Sequence, residues 1–132
     1  MAAARAFRTS GPQPLLRFSF RYLDTTHPAF DVRKCGAEYY RLLLARLHEL
    51  SAVSVTEFRS RAFRSLRIHR IDFEDPRLSI RSFGIRGELD ADTRAWQFAL
   101  SANEHGRVHG FLMGEVFYVR WLDPEHNLYS GN

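Results

Sequence analysis

The stretch Gly106–Tyr129 reads GRVHGFLMGEVFYVRWLDPEHNLY. Two runs of strand character, RVHGFLM and EVFYVRWL, flank the pair Met113-Gly114. Gly114 can take the positive φ that a tight hairpin turn needs, so the spacing predicts a β-hairpin there. The hairpin ends in a polar tail that gathers Asp123, Glu125, His126 and Tyr129. Such a tail either closes a sheet or places chemistry at its end.

Working outward, RAWQFALS alternates Trp96, Phe98 and Leu100, which predicts a third strand. Far upstream, LLRFSFRY points Leu16, Phe18, Phe20 and Tyr22 one way and Arg17, Ser19 and Arg21 the other. Between them, AEYYRLLLARLHEL has helical periodicity, with Tyr40, Leu43, Leu44, Leu47 and Leu50 on one face. Ser54-Val-Thr-Glu57 is a capping-box pattern, so a second helix starts there and runs to about Phe63, with Phe58 and Ala62 toward the core. RSLRIHRIDF reads as extended, but its alternation slips near Arg70, where a bulge or break is expected. The segment 74–93 reads as loop with a short strand around Leu78–Ser82. The expected architecture is α+β: a twisted antiparallel sheet with two α-helices on one face, in the order β-α-α-β-β-β-β, the other face partly open. Residues 1–14 read as a loose tail and 15–132 as one domain.

The chain of 132 residues is long enough for one real core, and its eleven Phe fit a globular protein. No apolar run approaches the ~20 residues needed to cross a bilayer, and the N-terminus lacks the apolar stretch of a signal peptide. A cytoplasmic location is the expectation, with no membrane partner. The single cysteine, Cys35, agrees with a reducing compartment and reads as a small packed residue. Net charge is +4 and the pI is near 9.7. Eighteen of the nineteen basic residues are Arg, whose planar fork suits phosphate. RNA, DNA or an acidic protein partner follows as the expected class.

The element order, and the text WQFALSANEHGRVHGFLMGEVFYVRWLDPEHNLY, resemble the RelE/ParE-like toxins of bacterial toxin–antitoxin pairs. In that family a first strand leads into two helices, and a three-stranded antiparallel run ends near a catalytic tail. The C-terminal third is also similar to uncharacterised bacterial proteins. This chain departs from the family in its greater length, its long loop before the first helix, its segment 74–93 and its Arg in place of Lys. The resemblance implies a toxin-like mRNA endoribonuclease acting at the ribosome, growth inhibition by RNA cleavage, and a cognate antitoxin.

RNA cleavage by 2′-hydroxyl attack needs a base, an acid and cations for the phosphorane charge. It needs no metal or cofactor. The resemblance nominates His126 as general acid or base and Tyr129 as a stacking or proton-handling partner. Glu125 or Asp123 is a candidate base. Arg107 and Arg120 are candidates for holding phosphate. Arg107 and His109 project from the same face of one strand, so with His126 they would form a compact cationic site. Each has a plainer reading: Asp123-Pro124 as a turn opener, Glu125 as a solvated charge, Arg107 as an ion-pair partner of Glu104 or Glu115, Tyr129 and Trp121 as packing.

The six His (27, 48, 69, 105, 109 and 126) form neither an HExxH motif nor a Cys/His pair at zinc spacing, so no metal site is expected. No Gly-rich phosphate loop or Ser/His/Asp elbow is visible. Arg59, Arg61, Arg64 and Arg67, with Arg70, form a basic run that reads as a solvated face or as an RNA-contacting one. A different class of function comes from QPLLRF: Gln13, Leu16 and Phe18 fit the loose Gln-x-x-Leu-x-Phe pattern of peptides that dock on the replication sliding clamp. A toxin could block replication that way without catalysis. Leu16 and Phe18 must then be exposed.

Overall fold

A computed structural model describes residues 14–61, 63–87, 90–101 and 106–129. The expected element order is the observed one: β1 (Arg17–Ser19), α1 (Ala37–Leu50), α2 (Val55–Arg59), β2 (His69–Arg70), β3 (Ala95–Ala99), β4 (Arg107–Met113) and β5 (Val116–Asp123). The five strands form one open sheet in the order β1-β5-β4-β3-β2. The strands β2 to β5 form an antiparallel meander, and β1 adds parallel to β5. The sheet is therefore mixed: the two-helix connection carries the chain from β1 at one edge to β2 at the other, and the meander back ends in β5 running parallel to β1.

Gly114 takes φ 60° and turns β4 into β5. In β4 and β5 the register advances from Gly110↔Val119 to His109↔Trp121, leaving Arg120 as an extra, bulged residue. Gly110 is where the strands pack tightest: a Cβ there would lie 2.1 Å from the Tyr118 carbonyl oxygen.

The helices pack on one face. Phe58, Trp96, Phe98, Leu100, Val108, Phe117 and Val119 are buried there. Ser54 and Glu57 exchange both bonds of the capping box, each at 3.0 Å. The helix is shorter than expected: it stops at Arg59, because Arg61 turns left-handed (φ 59°) and redirects the chain to bury Leu66 and Ile68. Ala62 lies outside the described residues. The buried face of α1 is centred on Tyr39, Leu43 and Leu50, while Leu44 is 68% exposed. The Tyr39 hydroxyl donates to the Arg107 carbonyl, and Arg46 donates to the Ala99 and Leu100 carbonyls, so polar anchors set the helix's rotation.

The second face is covered, not open. A second apolar layer joins Phe30, Ile71, Phe73, Leu78, Phe83, Phe111, Trp121 and Leu128. It is built from irregular chain, with no strand at Leu78–Ser82 beyond a single bridge from Leu78 to Tyr129. The slip in alternation near Arg70 is the point where the chain passes over the sheet edge. Leu66 and Ile68 lie with the helices, whereas Ile71 and Phe73 lie in the second layer. The first strand also crosses: Leu16 faces the helices, Phe20 is 48% exposed, and Tyr22 joins the second layer. Among the described residues no helix is long and apolar enough to cross a membrane.

Candidate functional site

Three strands bring a polar row across the second face. The register aligns His69 of β2 with Gln97 of β3, and Gln97 with His109 of β4. The Gln97 amide nitrogen lies 2.9 Å from His69 Nε2. His109 Nε2 lies 2.8 Å from Asp123 Oδ2, both side chains being fully buried. Phe30 and Trp121 flank the His109 ring.

The tail folds around the same carboxylate. Asp123 accepts the Asn127 N–H at 2.7 Å and the Leu128 N–H at 3.1 Å. That closes a tight turn in which His126 takes φ 58°. Leu128 is buried in the second layer, and the Ser79 N–H donates to its carbonyl. Tyr129 is thereby fixed, with the rings of His126 and His69 edge-on to it at 5.7 and 6.0 Å. The Arg77 guanidinium lies over its ring and also pairs with Asp75 at 2.7 Å.

His69, Arg70, Asp72, Asp75, Arg77, His126 and Tyr129 line a depression of about 230 Å³. Burial lowers the pKa of His69, and the nearby His109, Arg61 and Arg107 lower it further. Burial, with Arg107 and His109, pushes His126 down to about 4. Both rings are thus neutral near pH 7, but His69 donates from Nδ1 to the Arg70 carbonyl and its Nε2 accepts from Gln97, whereas His126 Nε2 has no hydrogen-bond partner among the described residues. Burial and the Asp75 charge raise the Tyr129 phenol, which stays protonated as a donor. The His126 imidazole and the Tyr129 phenol can move protons around an anionic group that the two guanidiniums attract, while Asp72 and Asp75 temper the positive field. Among the described residues no cluster of three or more His, Cys, Asp or Glu is arranged to hold a metal.

The expected site is only partly assembled as drawn from the sequence. His126 and Tyr129 do meet at one depression. His109 and Arg107 are near His126 but buried, so they cannot touch a substrate. Their place is behind the surface, where His109 is held by Asp123. The Asp123 carboxyl is likewise buried and is not an accessible base. Glu125 is exposed, accepts from the Asn127 amide and does not line the depression. Arg120 is the bulge residue; it donates to the Phe83 and Tyr22 carbonyls and so pins the second layer to the sheet. It is not placed to hold a phosphate at the depression. Arg59, Arg61, Arg64 and Arg67 are exposed, but a turn separates Arg59 from the rest, so they form no single helix face. Leu16 is only 2% exposed, and its N–H donates to the Val53 carbonyl. Phe18 is half-buried against Phe98 and Phe117. These two cannot plug a clamp cleft without leaving the core, and Gln13 lies outside the described residues.

The sequence reading missed His69, Gln97 and Arg77 as neighbours of the tail. The strand register joins His69 and Gln97 to it, and the bridge from Leu78 to Tyr129 brings Arg77 beside it.

No protein-family model, curated protein or solved structure matches this chain. The functional reading therefore rests on the site's geometry and chemistry and on the resemblance of the C-terminal stretch.

Proposed function

We propose that this protein is a toxin-like, metal-independent mRNA endoribonuclease of a bacterial toxin–antitoxin pair, acting on message at the ribosome. The observation that carries the reading is the meeting of His69, His126 and Tyr129 around one depression bordered by Arg70 and Arg77. The antiparallel run β3-β4-β5 ends directly in this tail, which is the placement the resemblance implied. In the proposed reaction the His126 imidazole takes the proton of the RNA 2′-hydroxyl, and His69, held at both ring nitrogens, lines the site beside it. The 2′ oxygen bonds to phosphorus, the P–O5′ bond breaks, and the Tyr129 phenol gives its proton to the departing oxygen. Arg70 and Arg77 stabilise the phosphorane charge. An arriving phosphate is an anion, so it raises the depressed imidazole pKa values toward neutrality, where a base is effective. The buried His109–Asp123 pair positions the turn that carries His126.

The test is a cell-free translation reaction with purified protein, mapping new 5′ ends on the message. His126→Ala, His69→Ala and Tyr129→Phe run beside the native protein. New ends that require translation and fade in these variants support the reading. Intact message with normal protein synthesis refutes it.

A further inference from the structure

A second depression lies on the helix side of the β2 edge. It has a volume of about 280 Å³ and is lined by Arg59, Arg70, Thr93, Arg94, Trp96, Leu112 and Gly114. Three guanidiniums converge there and no carboxylate lines it, in contrast to the His126 depression with its Asp72 and Asp75. Each comes from a different element: the end of α2, the edge strand, and the 3-10 turn Asp92–Arg94. Arg70 is preset, because it donates to the Thr93 and Ala95 carbonyls and its guanidinium lies over the Trp96 ring at 5.4 Å. Arg59 and Arg94 are exposed and form no ion pair with a described residue. Asp72, Glu74 and Asp92 lie beside Arg70 in the neighbouring depression, but none of them lines this cleft.

We infer that the Arg59–Arg70–Arg94 cleft binds a backbone phosphate of single-stranded RNA. The forks of Arg59 and Arg94 match a phosphate's oxygens, and Arg70, already held by backbone carbonyls over the Trp96 ring, adds a fixed positive charge. Arg70 borders both depressions, so one strand laid over the β2 edge reaches from this cleft to His69 and His126. A neighbouring phosphate held here would add affinity for the strand without touching the reacting groups. The inference deepens the nuclease reading and rests on it for the identity of the polymer.

The test is fluorescence anisotropy of a short labelled single-stranded RNA with the full chain, across a range of salt. The native protein is compared with Arg59→Ala/Arg94→Ala and with a charge-matched control, Arg21→Ala/Arg86→Ala, at exposed sites outside the cleft. The cleft variant is expected to bind about tenfold more weakly at low salt. Its log–log salt slope should be shallower by ~0.7 for each phosphate it no longer neutralises. The control keeps the native slope. Equal weakening in both variants overturns the inference, because bulk charge then explains the binding. Cleft-dependent binding of polyglutamate with none of RNA also overturns it, in favour of an acidic protein partner. The assay reads binding only. Cleft-dependent binding without cleavage sinks the nuclease reading and keeps the cleft, whereas cleavage without cleft dependence does the reverse.

Discussion

Replacing Asp123 with alanine removes the acceptor of three donors at once: His109 Nε2, the Asn127 N–H and the Leu128 N–H. The carboxylate and the imidazole are fully buried, so water cannot take its place at His109. A buried donor left unpaired costs about 1–3 kcal/mol. The Asn127 N–H is only part-buried and recovers some of its loss from solvent. A total of about 3–5 kcal/mol follows, a large share of the ~5–15 kcal/mol that stabilises a typical domain. With an unfolding entropy of about 2.1 cal/mol/K per residue, the 132-residue chain loses roughly 11–18 °C in Tm. Thermal unfolding followed by circular dichroism at pH 7 measures this directly. Asp123→Asn keeps an oxygen for the backbone N–H groups and is expected to fall less. The acid limb gives an independent check. Burial pushes the Asp123 carboxyl up, but the His109 hydrogen bond and charge and the two backbone amides hold it below the usual carboxylate range. A depressed carboxyl contributes stability above its unfolded pKa of about 4, and that contribution is lost as pH falls through the lower folded value. The alanine variant therefore has a flatter stability profile below about pH 4. A Tm drop under ~4 °C, about 1 kcal/mol for this chain, would refute the idea that this carboxylate holds the tail to the sheet.

Three further outcomes follow from the same structure. His126, whose folded pKa is pushed down to about 4, binds its proton later than in the unfolded chain. Its stabilising contribution is full above ~6.5 and is lost as pH falls toward 4, so His126→Gln softens that decline. An NMR titration placing His126 near 6.5 would contradict the burial argument. Gly110→Ala drives a methyl to 2.1 Å from the Tyr118 oxygen and 2.6 Å from Phe117 Cε1, so β4 and β5 must separate. A loss of at least ~1–3 kcal/mol is expected in urea denaturation, and a neutral result would mean the strands are spaced differently. Ser54→Ala breaks the capping box of a helix only five residues long and should cost ~0.5–2 kcal/mol by the same assay. An unchanged midpoint would show that Phe58 burial alone holds that helix.

What the sequence made legible is what local periodicity encodes. The hairpin at Gly114, the alternation of Trp96, Phe98 and Leu100, and the Ser54–Glu57 cap all depend on neighbours a few residues away. The rotation of α1 was not legible, because Tyr39 and Leu44 are equally apolar at the level of pattern. The surface that α1 meets, through the Arg107 and Ala99 carbonyls, selects Tyr39 and leaves Leu44 outside. The second layer was not legible either: Ile71, Phe73, Leu78 and Phe83 follow neither a 2.0 nor a 3.6 repeat, and they are buried by irregular chain. The candidate site divides along the same line. His126 and Tyr129 are close in sequence, and the local turn alone brings them to one depression. His69 and Gln97 reach them only through the strand register, which a single sequence does not display.

The second layer also constrains where any chemistry can occur. A sheet with one bare face offers a broad surface to a partner. Here Phe30, Phe83, Phe111 and Trp121 fill that face and seal His109 beneath it. The polar row therefore reaches solvent only at its end, where β2 is two residues long and the tail returns beside it. The depression there, about 230 Å³, lies below the ~300–1,000 Å³ of pockets that engulf a small ligand. It suits a polymer that inserts one unit and is held elsewhere along its length. Arg70 places the arginine-lined cleft on the other side of that same edge, which is where the rest of such a strand would be gripped. On this view, affinity and chemistry are separable. Loss of Arg59 and Arg94 weakens binding while leaving His69, His126 and Tyr129 intact, so single-turnover cleavage at saturating RNA should keep its rate. A matching fall in that rate would instead mean that the cleft shapes the reacting geometry itself.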